Sequence, residues 1–267
     1  MILKRFLHTL VILATSTFII PNSYAQTLQE MQQFAEQGHA DAQYRLGLTY
    51  DKGQEIPQNY TSAAMWYQKS AEQGNIDAQY NLGILYANGR GVPQDYSMAI
   101  VWWHKAAKQG DIPAQYNLGV AYANGRGVPL NYTTAIMWYK KAADQGNAVA
   151  QYNLGTLYAN GRGVPQDYTI AAMWWHKAAE QGDSDAQYNL GVSYVDGLGV
   201  PQNCVTAAMW YKKAAEQGNT NAQYNLGVLY EFGSGVPESI QLAKHWYQKA
   251  ANQGDVEAKN RLNKLTD

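Results

Sequence analysis

Apolar and polar positions along this chain follow two nested periods. The shorter one is helical. Between Asp77 and Asn88, Leu82, Gly83 and Tyr86 fall at i, i+1 and i+4, one face of an α-helix. Gly89 and Gly91 stop that helix, and Val92-Pro93 connects it to the next. Asp95 is placed to cap a second helix, whose apolar positions are Ala99, Trp102, Trp103, Ala106 and Ala107. Gln109-Gly110-Asp111 closes it with a C-terminal glycine. The pattern therefore predicts a pair of helices, A and B.

The longer period is 36 residues: Ala78-Gln79-Tyr80-Asn81-Leu82-Gly83 recurs verbatim from Ala114, Ala150, Ala186 and Ala222. Ala42 opens a near-copy with Arg45 in place of Asn. Six units follow, over 41–76, 77–112, 113–148, 149–184, 185–220 and 221–256. Neither helix of a pair can bury its apolar face alone, so successive pairs must stack and share a core. Residues 26–40 read as a lone B-type capping helix and 257–267 as a lone A-type one, which predicts 14 helices. A 72-residue alternation lies on top: Trp102-Trp103-His104 recurs as Trp174-Trp175-His176, and Trp138-Tyr139-Lys140 as Trp210-Tyr211-Lys212.

These units resemble the Sel-one-like repeat family, a relative of the tetratricopeptide repeat. The resemblance rests on Ala78, Leu82-Gly83, Tyr86, Gly89, Gly91-Val92, Asp95, Ala99, Trp102, Lys105-Ala106-Ala107 and Gly110, repeated with small changes. Gln54-Glu55 lacks the second glycine, Cys204 and Ile240 replace the tyrosine at position 96, and Ser239 replaces the aspartate at 95. The resemblance implies an all-α, right-handed superhelical solenoid of helix-turn-helix repeats that acts as a protein-interaction scaffold. Some cysteine-rich secreted relatives are described as penicillin-binding or β-lactamase-like. Those carry a cysteine pair in each repeat, whereas this chain has one cysteine, Cys204.

Composition narrows the partners. Only 15% of the residues are charged, against roughly 25% in ordinary domains, so neutral polar groups must make up much of the surface. With 20 basic and 21 acidic residues and no basic run longer than a pair such as Lys4-Arg5, nothing suits a phosphate backbone, and no nucleic-acid partner is expected. Residues 1–25 read as a cleaved signal peptide. Lys4 and Arg5 precede an apolar stretch from Phe6 to Ile20, and Ser23-Tyr24-Ala25 offers small residues to a peptidase. An uncleaved anchor is the alternative, but the run is short for a bilayer span of ~20 residues. The expectation is a periplasmic or secreted protein without stable membrane insertion.

Candidate chemistry is sparse. H-E-x-x-H, G-x-S-x-G and paired S-x-x-K/K-T-G motifs are missing, and no catalytic residue, metal or cofactor is expected. His104 and His176, two units apart, are too distant to share an ion and read as solvated helix-face residues. Arg90, Arg126 and Arg162, each between glycines on successive A–B loops, offer a weak anion site. The alternative is a helix stop carrying a solvated arginine. Trp66, Trp102, Trp138, Trp174, Trp210 and Trp246 stand among alanines and read as interlocking core. Gly47 and its equivalents inside helix A imply close approach of helix B.

The tyrosine column bears most on function. Aligned on the tetratricopeptide pattern, Tyr44, Tyr80, Tyr116, Tyr152, Tyr188 and Tyr224 face a concave groove, with Asn88, Asn124 and Asn160 two turns further along. Tyrosine is a favoured interface residue, so this groove would bind a peptide or a partner-protein segment. The competing reading is that the rings pack as core between repeats. Two other functions stay open: a penicillin-binding, β-lactamase-like or otherwise cell-wall-active protein, and a secreted factor acting on host cells.

Overall fold

The computed structural model describes residues 27–53 and 56–266; the leader lies outside them. Among the described residues there are fourteen α-helices and no strands. An opening helix, α1 (Leu28–Glu36), precedes the first pair, α2 (Ala40–Lys52) and α3 (Tyr60–Glu72). The next pairs are α4 (Ile76–Asn88) with α5 (Tyr96–Lys108), and α6 (Ile112–Asn124) with α7 (Tyr132–Asp144). Then come α8 (Ala148–Ala159) with α9 (Tyr168–Glu180), and α10 (Ser184–Asp196) with α11 (Cys204–Glu216). The last pair is α12 (Thr220–Phe232) with α13 (Ile240–Asn252), and α14 (Val256–Thr266) closes the stack. Each helix packs on the one before and the one after, which makes the chain an α-helical solenoid.

Most helices are started by a side-chain cap, α2 being an exception because His39 makes no cap bond. Asn75, Asp111, Asn147, Asp183 and Asn219 accept the N–H three residues on in the A helices. Asn59, Asp95, Asn131, Asp167, Asn203 and Ser239 do the same in the B helices. These bonds satisfy donors that a helix start leaves open. Because the cap at Asn75 precedes Ile76, helix A starts one residue ahead of Asp77, the start read from the sequence.

Packing follows the large-against-small rule. The six tryptophans of the B column are 4–8% exposed. Each reaches back into the preceding unit: Trp138, on α7, packs with Ile100, Trp103 and Leu118. A lysine one turn on covers each ring, with Lys105 Nζ 3.8 Å from the Trp102 centroid. Gly83 lets the hairpin close, since a Cβ there would stand 2.5 Å from Trp103 Nε1.

A buried amide seam ties units together. Gln79 donates to the Ala71 carbonyl of the preceding B helix (3.0 Å) and accepts from Gln109 at the end of its own (2.9 Å). The first bond recurs from Gln43 to Gln223, and the second wherever a unit is complete. It satisfies buried amides at every junction.

The ends depart from the repeat. Glu30, where a B-column tryptophan would fall, forms a capping box with Thr27 instead. At the other end Arg261 of α14 pairs with Glu231 at 3.1 Å, and Glu231 also accepts from the Tyr247 hydroxyl.

Candidate binding groove

The A helices form the inner row. α10 and α12, one unit apart, touch each other directly, while the bulky tryptophans hold the B helices apart. Crowding one row and spreading the other curves the stack with the A face inward.

On that face the tyrosine column does two things at once. Tyr44, Tyr80, Tyr116, Tyr152, Tyr188 and Tyr224 are all half-buried. Four of them meet the second aromatic of their own B helix: Tyr44 on Tyr67, Tyr116 on Tyr139, Tyr188 on Tyr211 and Tyr224 on Tyr247, at 5.7–5.9 Å between centroids. Their exposed edges face the groove, where cavities open between adjacent A helices. One, of about 210 Å³, lies between α4 and α6 and is lined by Ile84, Asn88, Trp103, Asn117 and Val120. Its counterpart between α10 and α12, about 300 Å³, is lined by Tyr188, Val192, Tyr211, Asn225 and Val228. A third, about 410 Å³, adjoins that one and is lined by Tyr188, Tyr224, Asp255 and Glu257.

The asparagines that pair with the tyrosines are those of the Tyr-Asn dipeptide, which sequence reasoning passed over. Asn81 pairs with Tyr44, Asn117 with Tyr80 and Asn189 with Tyr152, while Asn225 reaches Tyr188 and donates to the Tyr211 hydroxyl at 3.2 Å, each contact crossing to the next unit. Arg261 ends this ladder on Tyr224. The only sequence signal was the 36-residue recurrence of the dipeptide. Burial pushes these four phenols above their ordinary range, so the hydroxyls stay protonated at neutral pH. Asn88, Asn124 and Asn160 are exposed, and each amide folds back to a carbonyl of its own helix, at 3.0, 2.9 and 2.8 Å.

The three loop arginines are exposed but differ in surroundings. Arg90 lies over the Tyr60 ring at 5.5 Å and Arg162 over Tyr132 at 5.7 Å. Arg126 lines the α4–α6 cavity beside Tyr96. Its loop rests on the preceding B helix: Gly127, at φ +71°, has room for no side chain, because a Cβ would stand 2.6 Å from that of Tyr96.

The two histidines are only partly solvated: the His176 side chain is 45% exposed and lies 3.5 Å from Glu180, while both rings also meet a neighbouring unit. His104 is half-buried, its ring edge-to-face on Trp138 of the next unit at 5.0 Å, and His176 meets Trp210 at 5.6 Å. The next unit's tryptophan reaches over the helix face and covers one side of each ring. Burial first, then Lys108 and Lys141, hold the His104 imidazole below its ordinary range. Among the described residues no group of histidine, cysteine and carboxylate side chains could hold a metal ion.

A curved stack of two-helix units with an aromatic inner row defines an interaction-type α-solenoid. The Sel1 repeat family matches residues 40–75, 76–111, 112–147, 148–183, 184–219 and 220–255, and the chain belongs to that family. Among solved structures it is similar to c5321, a protective antigen of uropathogenic Escherichia coli with an SLR fold (40% identity, TM-score 0.86). That match covers 90% of this chain and 52% of the other, so this chain spans about half of that relative's length. It is also similar to a Sel1 repeat protein from Oxalobacter formigenes, at 34% identity and a TM-score of 0.69, covering 84% of this chain and 90% of that one. Among curated proteins none matches.

Proposed function

We propose that this chain is an exported, non-enzymatic scaffold whose concave face binds an extended segment of a partner protein. The observation that carries this reading is the continuous row of half-buried tyrosines with cavities between successive A helices. Such a surface offers apolar area at low entropic cost, because its rings are already held by packing on one side. Sel1 repeats commonly serve as protein-protein interaction scaffolds, which supports the same reading. Export is supported by the signal-like leader and by the antigen role of the Escherichia coli relative. Among the described residues no helix is long and apolar enough to cross a membrane. Cell-wall chemistry has less behind it: His104 and His176 each rest on a tryptophan of the next unit, and the cavity that His176 lines with Glu180, 3.5 Å away, has no serine or cysteine in its lining.

The test is selection of displayed peptides on the purified protein, followed by measurement on a groove variant. Val120 and Val192 line two of the cavities and are only partly buried. Val120→Ser with Val192→Ser should weaken the selected peptides about tenfold or more while helical circular dichroism stays unchanged. Peptides that bind the variant as well as the parent would place the site elsewhere.

A further inference from the structure

The α4–α6 and α10–α12 cavities are one site repeated three units apart. Residue for residue, Ile84 corresponds to Val192, Trp103 to Tyr211, Asn117 to Asn225 and Val120 to Val228. The charged positions do not correspond. The first cavity carries Arg126 and the neutral Asn88, and the second carries Asp196 at the position of Asn88. At the position of Arg126, the later unit has Ser234.

Each cavity is asymmetric in what it can hold. Around the first, the only ionised lining group is the Arg126 guanidinium, with the Tyr96 hydroxyl beside it, while the Asn117 amide is engaged by Tyr80. Among the described residues the buried indole N–H of Trp103 has no hydrogen-bond partner. Asp77 and Asp111 sit at the opposite ends of their helices and do not line this cavity. Around the second, the ionised group is the carboxylate of exposed Asp196, and the adjoining cavity adds Asp255 and Glu257 with no basic lining residue. Arg261 of α14, which lines neither of these cavities, is committed to Glu231 and Tyr224.

That terminal unit shows what the site accepts. Glu231 occupies the position of Ala87 in the first cavity, and there a carboxylate is held between a side-chain donor of the B helix, Tyr247, and a guanidinium. The first cavity has Ala87 and Asn117 where the terminal unit has Glu231 and Arg261, so no carboxylate of its own stands at that position, and its guanidinium comes from the loop at Arg126.

We infer that the groove takes an extended segment bearing an acidic side chain for the Arg126 cavity and a basic one for the Asp196 cavity. This rests on the groove being the binding surface, and it adds the chemistry of the occupant. Adjacent A helices lie roughly 10 Å apart, so three units span about 30 Å. An extended chain rises about 3.3 Å per residue, which puts the two charges about 9 residues apart.

The probes are capped peptides of about ten residues, alternating leucine and serine inside, with Glu and Lys, Glu and Glu, or Lys and Lys at the two ends. Calorimetric titration of the full chain should find the Glu–Lys peptide about tenfold tighter than either like-charged one. Shortening it by about four residues should abolish that preference. Asp196→Lys should make the Glu–Glu peptide the best ligand. Arg126→Ala should remove the distinction between Glu–Lys and Lys–Lys. Equal binding by all three peptides, or a preference that survives both substitutions, would overturn the charge assignment while leaving the groove as a binding surface. No binding by any of them at about 1 mM would overturn the groove reading and this inference together.

Discussion

Gly119 and Tyr139 meet across the α6–α7 hairpin so closely that a Cβ on the glycine would stand 2.5 Å from the ring's Cδ1. The ring cannot retreat, because Ala135, Ala142 and Leu154 surround it, each fully buried. Gly119→Ala therefore sets two effects against each other. Helix propensity gains ~1 kcal/mol, and forcing a methyl into a filled core costs ~1–3 kcal/mol. The clash should win by about 1 kcal/mol, read as a lower urea midpoint. A midpoint at or above the parent's would show that the hairpin has slack.

Trp138→Ala should cost ~3–5 kcal/mol, since the side chain is 4% exposed at the centre of the array. The damage should be lopsided. Trp138 packs into the cluster built from α4, α5 and α6, so the cavity opens on the side of the preceding unit. Hydrogen exchange should accelerate first from α4 to α7, with α10 to α14 retaining protection. Equal acceleration in all six units would mean that the array unfolds as one block rather than by neighbours.

His104 gives the array a pH response with a defined sign. Its folded-state pKa lies below the ordinary 6.5, so in that window the unfolded chain binds the extra proton. Its contribution to stability is fully present above about pH 7 and is lost as pH falls through 6.5 toward the folded value. His104→Phe keeps a ring against Trp138 but cannot titrate. The stability difference between variant and parent should be flat above about pH 7 and move in the variant's favour by about pH 5. A difference independent of pH over that range would show that the folded protein does not disfavour the imidazolium.

The array was readable because every unit repeats the same physical signals: cap, helical apolar stripe, glycine stop. Leu82, Trp102 and Gly89 announce their roles through residue type alone. What lies between units was harder to read. The His104–Trp138 contact and the Tyr80–Asn117 bond each join residues more than thirty positions apart. Helical spacing within one unit says nothing about which neighbour covers an exposed face. Asn117 was hidden for a related reason: a polar residue beside a buried leucine reads as solvated until the next helix is in place. Asn88, by contrast, was singled out as groove-lining. It does line a cavity, yet its amide is already bonded to Ile84.

The same contacts decide how the tyrosine column should be tested. Tyr116 and Tyr152 are central to the groove, and truncating both would remove two aromatic surfaces from any bound segment. Each ring also has structural duties. Tyr116 lies 5.8 Å from Tyr139, and the Tyr152 hydroxyl bonds to Asn189 of the next unit. A buried aromatic truncated to alanine costs ~3–5 kcal/mol, so a half-buried one should cost about 2 kcal/mol, and the pair about 4 kcal/mol. Loss of binding by the alanine pair would then mix unfolding with a lost contact. Tyr116→Phe with Tyr152→Phe separates the two effects. It keeps the ring packing, removes only the hydroxyls, and should stay within about 2 kcal/mol of the parent in denaturant. If the hydroxyls contact the bound segment, the phenylalanine pair should bind selected peptides several-fold more weakly at nearly unchanged stability. An alanine pair as stable as the parent would show that the rings add nothing to packing. A phenylalanine pair with parental affinity would confine the column's part in recognition to its ring faces.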